Sequence, residues 1–217
     1  NKEEGGAGIF VNQENGHIYT IDQQNNLKRQ TNTTLTNLAT AKIAITNNKG
    51  YVVGRQIKGL SAEDYIGNFN LNTASSSEPA KLNYTKLNFP ILSSAISPNN
   101  QMIAYLLPEG EKSALYLNDW SLAKPQKIWS SELSSWQITW PESNNLMIVD
   151  RASFDYAGGA YLFNIKTKSL TKILSNINGL TILSSPQADK LLYSKSLLSG
   201  FSLYIYDIKT KESSLLG

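Results

Sequence analysis

"SSPQADKLLYSKSLLSGFSLYIYDIKT", residues 184–210, holds the pattern that decides the fold. Its last four residues, Asp207-Ile208-Lys209-Thr210, are nearly repeated at Asn164-Ile165-Lys166-Thr167. With "YIYDIKT" laid over "YLFNIKT", the same strand-ending position recurs at Asp119 in "LYLNDW", Asn70 in "GNFNLNT" and Asp22 in "IYTIDQQ". The five positions are 48, 49, 45 and 43 residues apart. Self-similarity at a fixed period marks an array of one supersecondary unit.

A second anchor keeps the same register. Pro98, Pro141 and Pro186 each follow a short apolar run and precede the Asp/Asn anchor by 21, 23 and 21 residues. The second copy lacks the proline but keeps the order apolar run, Asn-rich turn, apolar run in "KIAITNNKGYVVGRQ". Each copy reads as four short strands. In the last copy these are residues 180–184, 190–195, 202–207 and 212–216, with alternation as in "SLYIYD" and turn signals every 8–12 residues. The prolines are expected in the hairpin turn between the first two strands, since proline pre-sets φ and donates no ladder hydrogen bond. The Asp or Asn is expected to accept hydrogen bonds from the N–H groups that follow it. No segment shows a helical period.

Four strands per repeat of this length predict an all-β fold, a β-propeller of four-stranded antiparallel blades. The expected blades cover residues 8–31, 38–85, 91–130, 134–175 and 179–217 of a single domain spanning 1–217. The first has only three strands and lacks its innermost one. The expectation is a five-bladed ring that closes imperfectly or a piece of a ring of six to eight blades. A chain that starts at Asn1 and not at Met also reads as a trimmed one.

At these residues the chain resembles the WD40-like, TolB-type β-propeller repeats of bacteria. The stretches that carry the resemblance are "AISPNNQMIAY" with "LYLNDW", and "TILSSPQADKLLY" with "LYIYDIKT". The turn glycine of that pattern is replaced by Asn100, Asn145 or Asp189, and the "GH…WD" pair of eukaryotic repeats is absent. The resemblance implies a non-enzymatic interaction domain in the periplasm or another extracytoplasmic space, with a protein partner bound through inter-strand loops.

Composition narrows the chemistry. The 20 Lys and Arg residues are scattered, with no run longer than Lys28-Arg29, so a nucleic-acid face is not expected. No run of 18 apolar residues exists to insert into a membrane. With no cysteine and one histidine, His17, neither a thiolate or zinc site nor a cofactor is expected. His17 reads as a turn residue. No Gly-x-Ser-x-Gly elbow supplies a nucleophile. The predicted first strands, "KIAIT", "SSAIS", "SWQIT" and "LTILS", hold no Asp or Glu. Glycoside hydrolysis needs two carboxylates flanking one bond, so it is not expected either. The catalytic set is therefore expected to be empty.

Two features break the repeat. The stretch "DRASFDYAGGAY", residues 150–161, is longer than its equivalents and brings Asp150, Arg151, Asp155 and Tyr156 ahead of Gly158-Gly159. Function often sits on such loops, so these four residues form the expected binding surface. Calcium at Asp150 and Asp155 would call for the Asp-x-Asp-x-Asp-Gly order, which is missing. The four tryptophans are bunched at 120, 129, 136 and 140. Packing between blades is expected for most, with Trp136 as the best surface candidate. Two alternative functions stay open at this point. One is the regulatory propeller of a larger peptidase-like enzyme with its catalytic domain elsewhere. The other is a carbohydrate-binding propeller using Trp136.

Overall fold

Asp207 closes its turn as its place in the repeat predicts. Its Oδ1 accepts hydrogen bonds from the backbone N–H groups of Lys209 and Thr210, each at 2.9 Å. Asn164 Oδ1 accepts from Lys166 and Thr167 at 3.1 and 3.0 Å. Asp119 Oδ1 accepts from Ser121 at 2.9 Å, and Asp22 Oδ1 from Gln24 and Asn26 at 2.9 and 2.8 Å. Three or four residues past each of these anchors the backbone turns left-handed, with φ of 63° at Asn25, 55° at Leu122, 55° at Lys168 and 62° at Lys211. A non-glycine residue held there costs about 1–3 kcal/mol, while glycine gives back about 0.5–1 kcal/mol in chain entropy. Lys168→Gly and Lys211→Gly are each expected to stabilise the fold by up to ~1 kcal/mol. A rise in the urea midpoint checks this; a fall would show that the lysine stems contribute more than the strain costs.

The computed structural model describes residues 8–32, 35–46, 48–71, 78–133, 135–150, 152, 156–185, 189–198 and 200–216. Among these residues every regular element is a strand, and all sheet pairing is antiparallel between sequence neighbours. The chain divides into two compact units, residues 1–90 and 91–217.

The first unit holds two sheets. One has three strands, β1 (Gly8–Val11), β2 (Ile18–Ile21) and β3 (Leu27–Arg29); the other has four, β4 (Leu38–Thr46), β5 (Lys49–Lys58), β6 (Ser61–Asn70) and β7 (Asn83–Lys86). They pack through Ile18, Val52, Phe69 and Leu82, with Ile9, Val11 and Ile43 against them.

The second unit holds three four-stranded sheets. The third sheet of the chain has β8 (Ser93–Ile96), β9 (Met102–Glu109), β10 (Lys112–Asp119) and β11 (Gln126–Ser131). The fourth has β12 (Trp136–Glu142), β13 (Asn145–Asp150), β14 (Gly158–Asn164) and β15 (Ser169–Ile177). The fifth has β16 (Thr181–Ser184), β17 (Lys190–Leu197), β18 (Gly200–Asp207) and β19 (Glu212–Leu215). The fold is a β-propeller built of such blades, the first one incomplete.

Successive blades bury both faces of the sheet between them. Ala104, Leu106, Leu115 and Leu117 of the third sheet pack on Trp136, Ile138, Leu146, Ile148 and Phe163 of the fourth. Met147, Val149 and Ala160, on the other face of the fourth, pack on Leu180, Leu191, Tyr193 and Tyr206 of the fifth. The first strands of neighbouring blades also touch, with the Ile138 N–H donating to Ser93 Oγ at 3.1 Å.

The prolines do not all behave alike. Pro98 sits in the predicted turn, framed by Asn100 N–H to Ser97 O at 2.8 Å and Ser97 N–H to Met102 O at 3.0 Å. Pro141 lies inside β12, where the pairing register shifts between Thr139 and Glu142. A bulge is where a strand tolerates a residue without an N–H. The turn itself is Ser143-Asn144. Pro186 lies outside the described residues.

Candidate functional site

The loop that departs from the repeat leaves from the end of β13. Asp150 is the last residue of that strand, paired with Trp136 on one side and Gly159 on the other. It is 9% exposed. Its Oδ1 accepts a hydrogen bond from Ser135 Oγ at 2.8 Å, and the Tyr156 hydroxyl stands 3.4 Å from the same oxygen. Ser135 Oγ and the Tyr156 hydroxyl are themselves 2.9 Å apart. A carboxylate is thus held at the end of an inner strand by two hydroxyls, and Tyr156, 43% exposed, carries the group outward. Arg151 and Asp155 lie outside the described residues.

Beneath this group lies an aromatic cluster. Trp136 is 6% exposed, not the surface ring expected from the sequence. It meets Trp129 edge-on at 5.5 Å and Tyr161 at 5.6 Å between centroids. Trp140 is buried in the same core, and the Nε1 atoms of both buried indoles have no hydrogen-bond partner. Trp120 donates its Nε1–H to Asn100 O at 2.8 Å, and Trp129 packs against the core from a half-buried position. The rings fill space between blades, the arrangement large aromatics favour.

Other candidates fall into place. His17 closes the hairpin between β1 and β2, its carbonyl accepting from Asn12 N–H at 2.8 Å. Its ring stands edge-on to Tyr19 at 6.4 Å. Partial burial, then the charge of Arg29, lower its pKa. The first strand of the fourth blade does contain an acid, because β12 runs on through the bulge to Glu142. That carboxylate accepts from Asn145 Nδ2 at 2.8 Å across the hairpin mouth. Among the described residues no three His, Asp or Glu side chains gather as a metal site would require.

An ionic cluster on the first unit gave no signal in the sequence. Glu63 accepts from Lys58 Nζ at 2.7 Å, Lys86 Nζ at 2.5 Å and the Tyr65 hydroxyl at 2.6 Å. Beside it Arg55 grips Asp64 with two bonds of 2.8 Å. The lysines, Lys58 first, and Tyr65 pull the Glu63 carboxyl down to about 2. A folded-state pKa below the unfolded value stabilises the fold at pH above the unfolded value, near 4.5, and that contribution is lost as pH falls toward 2. The midpoint difference between the parent chain and Glu63→Gln is therefore expected to be constant above about pH 5 and to vanish toward pH 2. A pH-independent difference in thermal melts between pH 2 and 7 would sink this.

Chemically the Ser135–Asp150–Tyr156 group is a hydrogen-bonding set. A serine nucleophile needs an adjacent base able to take its proton near neutrality, and among the described residues the Ser135 hydroxyl meets the Asp150 carboxyl and the Tyr156 phenol. What the group offers is an aromatic edge with hydroxyls fixed over a buried negative charge.

No protein-family model matches the chain, and no curated protein matches it in sequence. Solved structures do match. TolB from Acinetobacter baumannii superimposes with a TM-score of 0.61 at 12% identity, over 97% of this chain and 52% of that one. The fold is that of the TolB-type β-propeller. A putative TolB from Agrobacterium tumefaciens matches with a TM-score of 0.63 at 11% identity, over 99% of this chain and 77% of that one. A puromycin-hydrolyzing peptidase of Mycobacterium tuberculosis matches with a TM-score of 0.63 at 13% identity, over 100% of this chain and 37% of that one. The chain thus spans about half of the first TolB and little more than a third of the peptidase. At such identities the likeness is one of fold.

Proposed function

We propose that this chain is a binding propeller without chemistry of its own, which recognises a protein partner through the hairpin loops of its blades. The observation that carries the reading is the one loop that breaks the repeat. It places a 43% exposed tyrosine over a carboxylate fixed at the end of an inner strand. Exposed tyrosines on rigid scaffolds are frequent anchors of protein interfaces. The group pairs no hydroxyl with a base suited to nucleophilic attack. The likeness to TolB chains supports an extracytoplasmic setting, and we place the protein in the bacterial envelope on that ground.

The test combines crosslinking and turnover. A photo-crosslinking residue at position 156 is expected to capture a protein partner in cells. Tyr156→Ala is expected to weaken the purified complex by about 10-fold or more, the range of a truncated anchor, without lowering the melting temperature. Hydrolysis of a peptide library by the purified chain, with no captured partner, would sink the reading.

A second reading rests on the peptidase matches, in which this chain covers a third or so of each enzyme. On this reading the propeller would accompany a catalytic domain elsewhere in the same polypeptide. The complete gene product decides between the two: a hydrolase domain joined to this propeller would favour the second. The carbohydrate reading loses its motive, since Trp136 is packed inside and offers no open platform.

A further inference from the structure

Within the first unit, the β5–β6 hairpin outruns its outer neighbour. β7 pairs with β6 only as far as Tyr65↔Lys86, and one further bond, Leu87 N–H to Asp64 O at 2.8 Å, ends the ladder. β5 and β6 stay paired on to Lys58↔Ser61, with Gly59-Leu60 as the turn. A cleft of about 380 Å³ opens between residues 61–64 and residues 86–90, a volume within the range of ligand sites. Along a strand, the backbone groups of every second residue point to the same edge. Asp64 offers its carbonyl to Leu87, so Ala62 turns its N–H and C=O to that edge too, beside the cleft it lines. The charges here are layered. Lys58 stands opposite Ser61 and Lys86 opposite Tyr65, so both share a sheet face with Glu63. The side chains of Glu63 and Asp64 are 19% and 4% exposed, those of Lys58 and Lys86 52% and 55%. The acids lie beneath, and the ammonium groups face out.

We infer that this edge takes up an extended acidic segment of a partner protein as an added strand beside Ala62. In strand addition, main-chain bonds to the edge supply affinity and alternate side chains supply specificity. Side chains two residues apart face the same way, so Asp or Glu at every second position of the segment meets Lys58 and Lys86. Each ammonium group has three donors and gives one to Glu63, which leaves donors for a second carboxylate. Charged side chains on a strand edge discourage unwanted pairing. A strand that brings the opposite charge escapes that penalty, so the two lysines select for acidity. The site belongs to the first unit and does not rest on the reading of the Tyr156 loop.

The probe is a short peptide of alternating Glu and Thr with both ends capped, compared with the same peptide carrying Gln for Glu. The acidic peptide is expected to bind the chain saturably, more weakly as salt rises, and to slow hydrogen exchange at the Ala62 amide. The Gln peptide should bind about fivefold more weakly or worse, as two exposed ion pairs are lost. Ala62→Pro removes the outward N–H, a change strand edges tolerate, and should weaken the acidic peptide about fivefold. Lys86→Gln should weaken it about two- to fivefold. Glu63→Gln frees both ammonium groups and should tighten it. These opposite signs decide the matter even if Ala62→Pro fails to fold. Equal affinity for the two peptides would overturn the inference. So would binding without protection at Ala62, which would mean that the lysines hold anions and no strand is added. Protection that grows with chain concentration in the absence of peptide would mean a second copy and would overturn it as well.

Discussion

Replacing Trp136 by alanine is expected to destabilise the fold by about 3–5 kcal/mol, the range for deleting a buried Trp or Phe. The indole lies between two sheets, edge-on to Trp129 from one and to Tyr161 from its own. Ile138, Leu146 and Phe163 belong to the same cluster. Alanine would leave a void lined by rings that cannot all move in, and the lost contacts are both apolar area and edge-to-face pairs. Trp136→Phe should cost distinctly less. It keeps a ring for both neighbours and removes an Nε1–H that has no partner. Urea denaturation of the three chains checks the order. If Trp136→Ala kept the parent midpoint while abolishing ligand binding, the ring would be an open anchor and the packing account would be wrong.

The burial of Trp136 also marks the limit of what the sequence alone places. Turn chemistry was legible because it is local. Asp207, Asn164, Asp119 and Asp22 act on N–H groups two to four residues away, so the spacing in the chain is the spacing in space. Exposure was not legible, because a propeller blade is covered on both faces. In β9 the run Ile103, Ala104, Tyr105, Leu106 is buried at every position, so parity cannot tell a surface ring from one held between sheets. The same limit hid Ser135. A serine beside a predicted strand has no distinguishing pattern, and only the fold brings its hydroxyl to Asp150 and Tyr156. Pro141 misled for another reason: a proline marks a turn or a bulge equally well, and the one extra residue that makes the bulge shows only in the pairing. Glu63 gained its two lysines from β5 and β7, 5 and 23 residues away in the chain.

Gly158→Ala is expected to destabilise the fold by about 1–3 kcal/mol, the usual cost of forcing an extra methyl group into a filled site. It should also disturb the candidate site. A Cβ at this position would stand 2.5 Å from the Asp150 carbonyl oxygen, 2.8 Å from the Ala152 backbone nitrogen and 3.2 Å from the Leu180 Cβ. Two of those atoms are backbone, so no side chain can rotate away to make room. Relief must come from moving the end of β13, which carries Asp150 and with it the anchor for Ser135 Oγ and the Tyr156 hydroxyl. The neighbouring Gly159→Ala meets nothing closer than 3.2 Å and should be milder. The two alanine variants thus form a matched pair, one residue apart with opposite space. Gly158→Ala is expected to lower the urea midpoint more than Gly159→Ala and to weaken partner binding as Tyr156→Ala does. Equal midpoints for the two would show that β13 and the loop after it yield easily. The Tyr156 hydroxyl would then not be held in place by the strand end, and the rigid presentation on which the proposed interface depends would be lost.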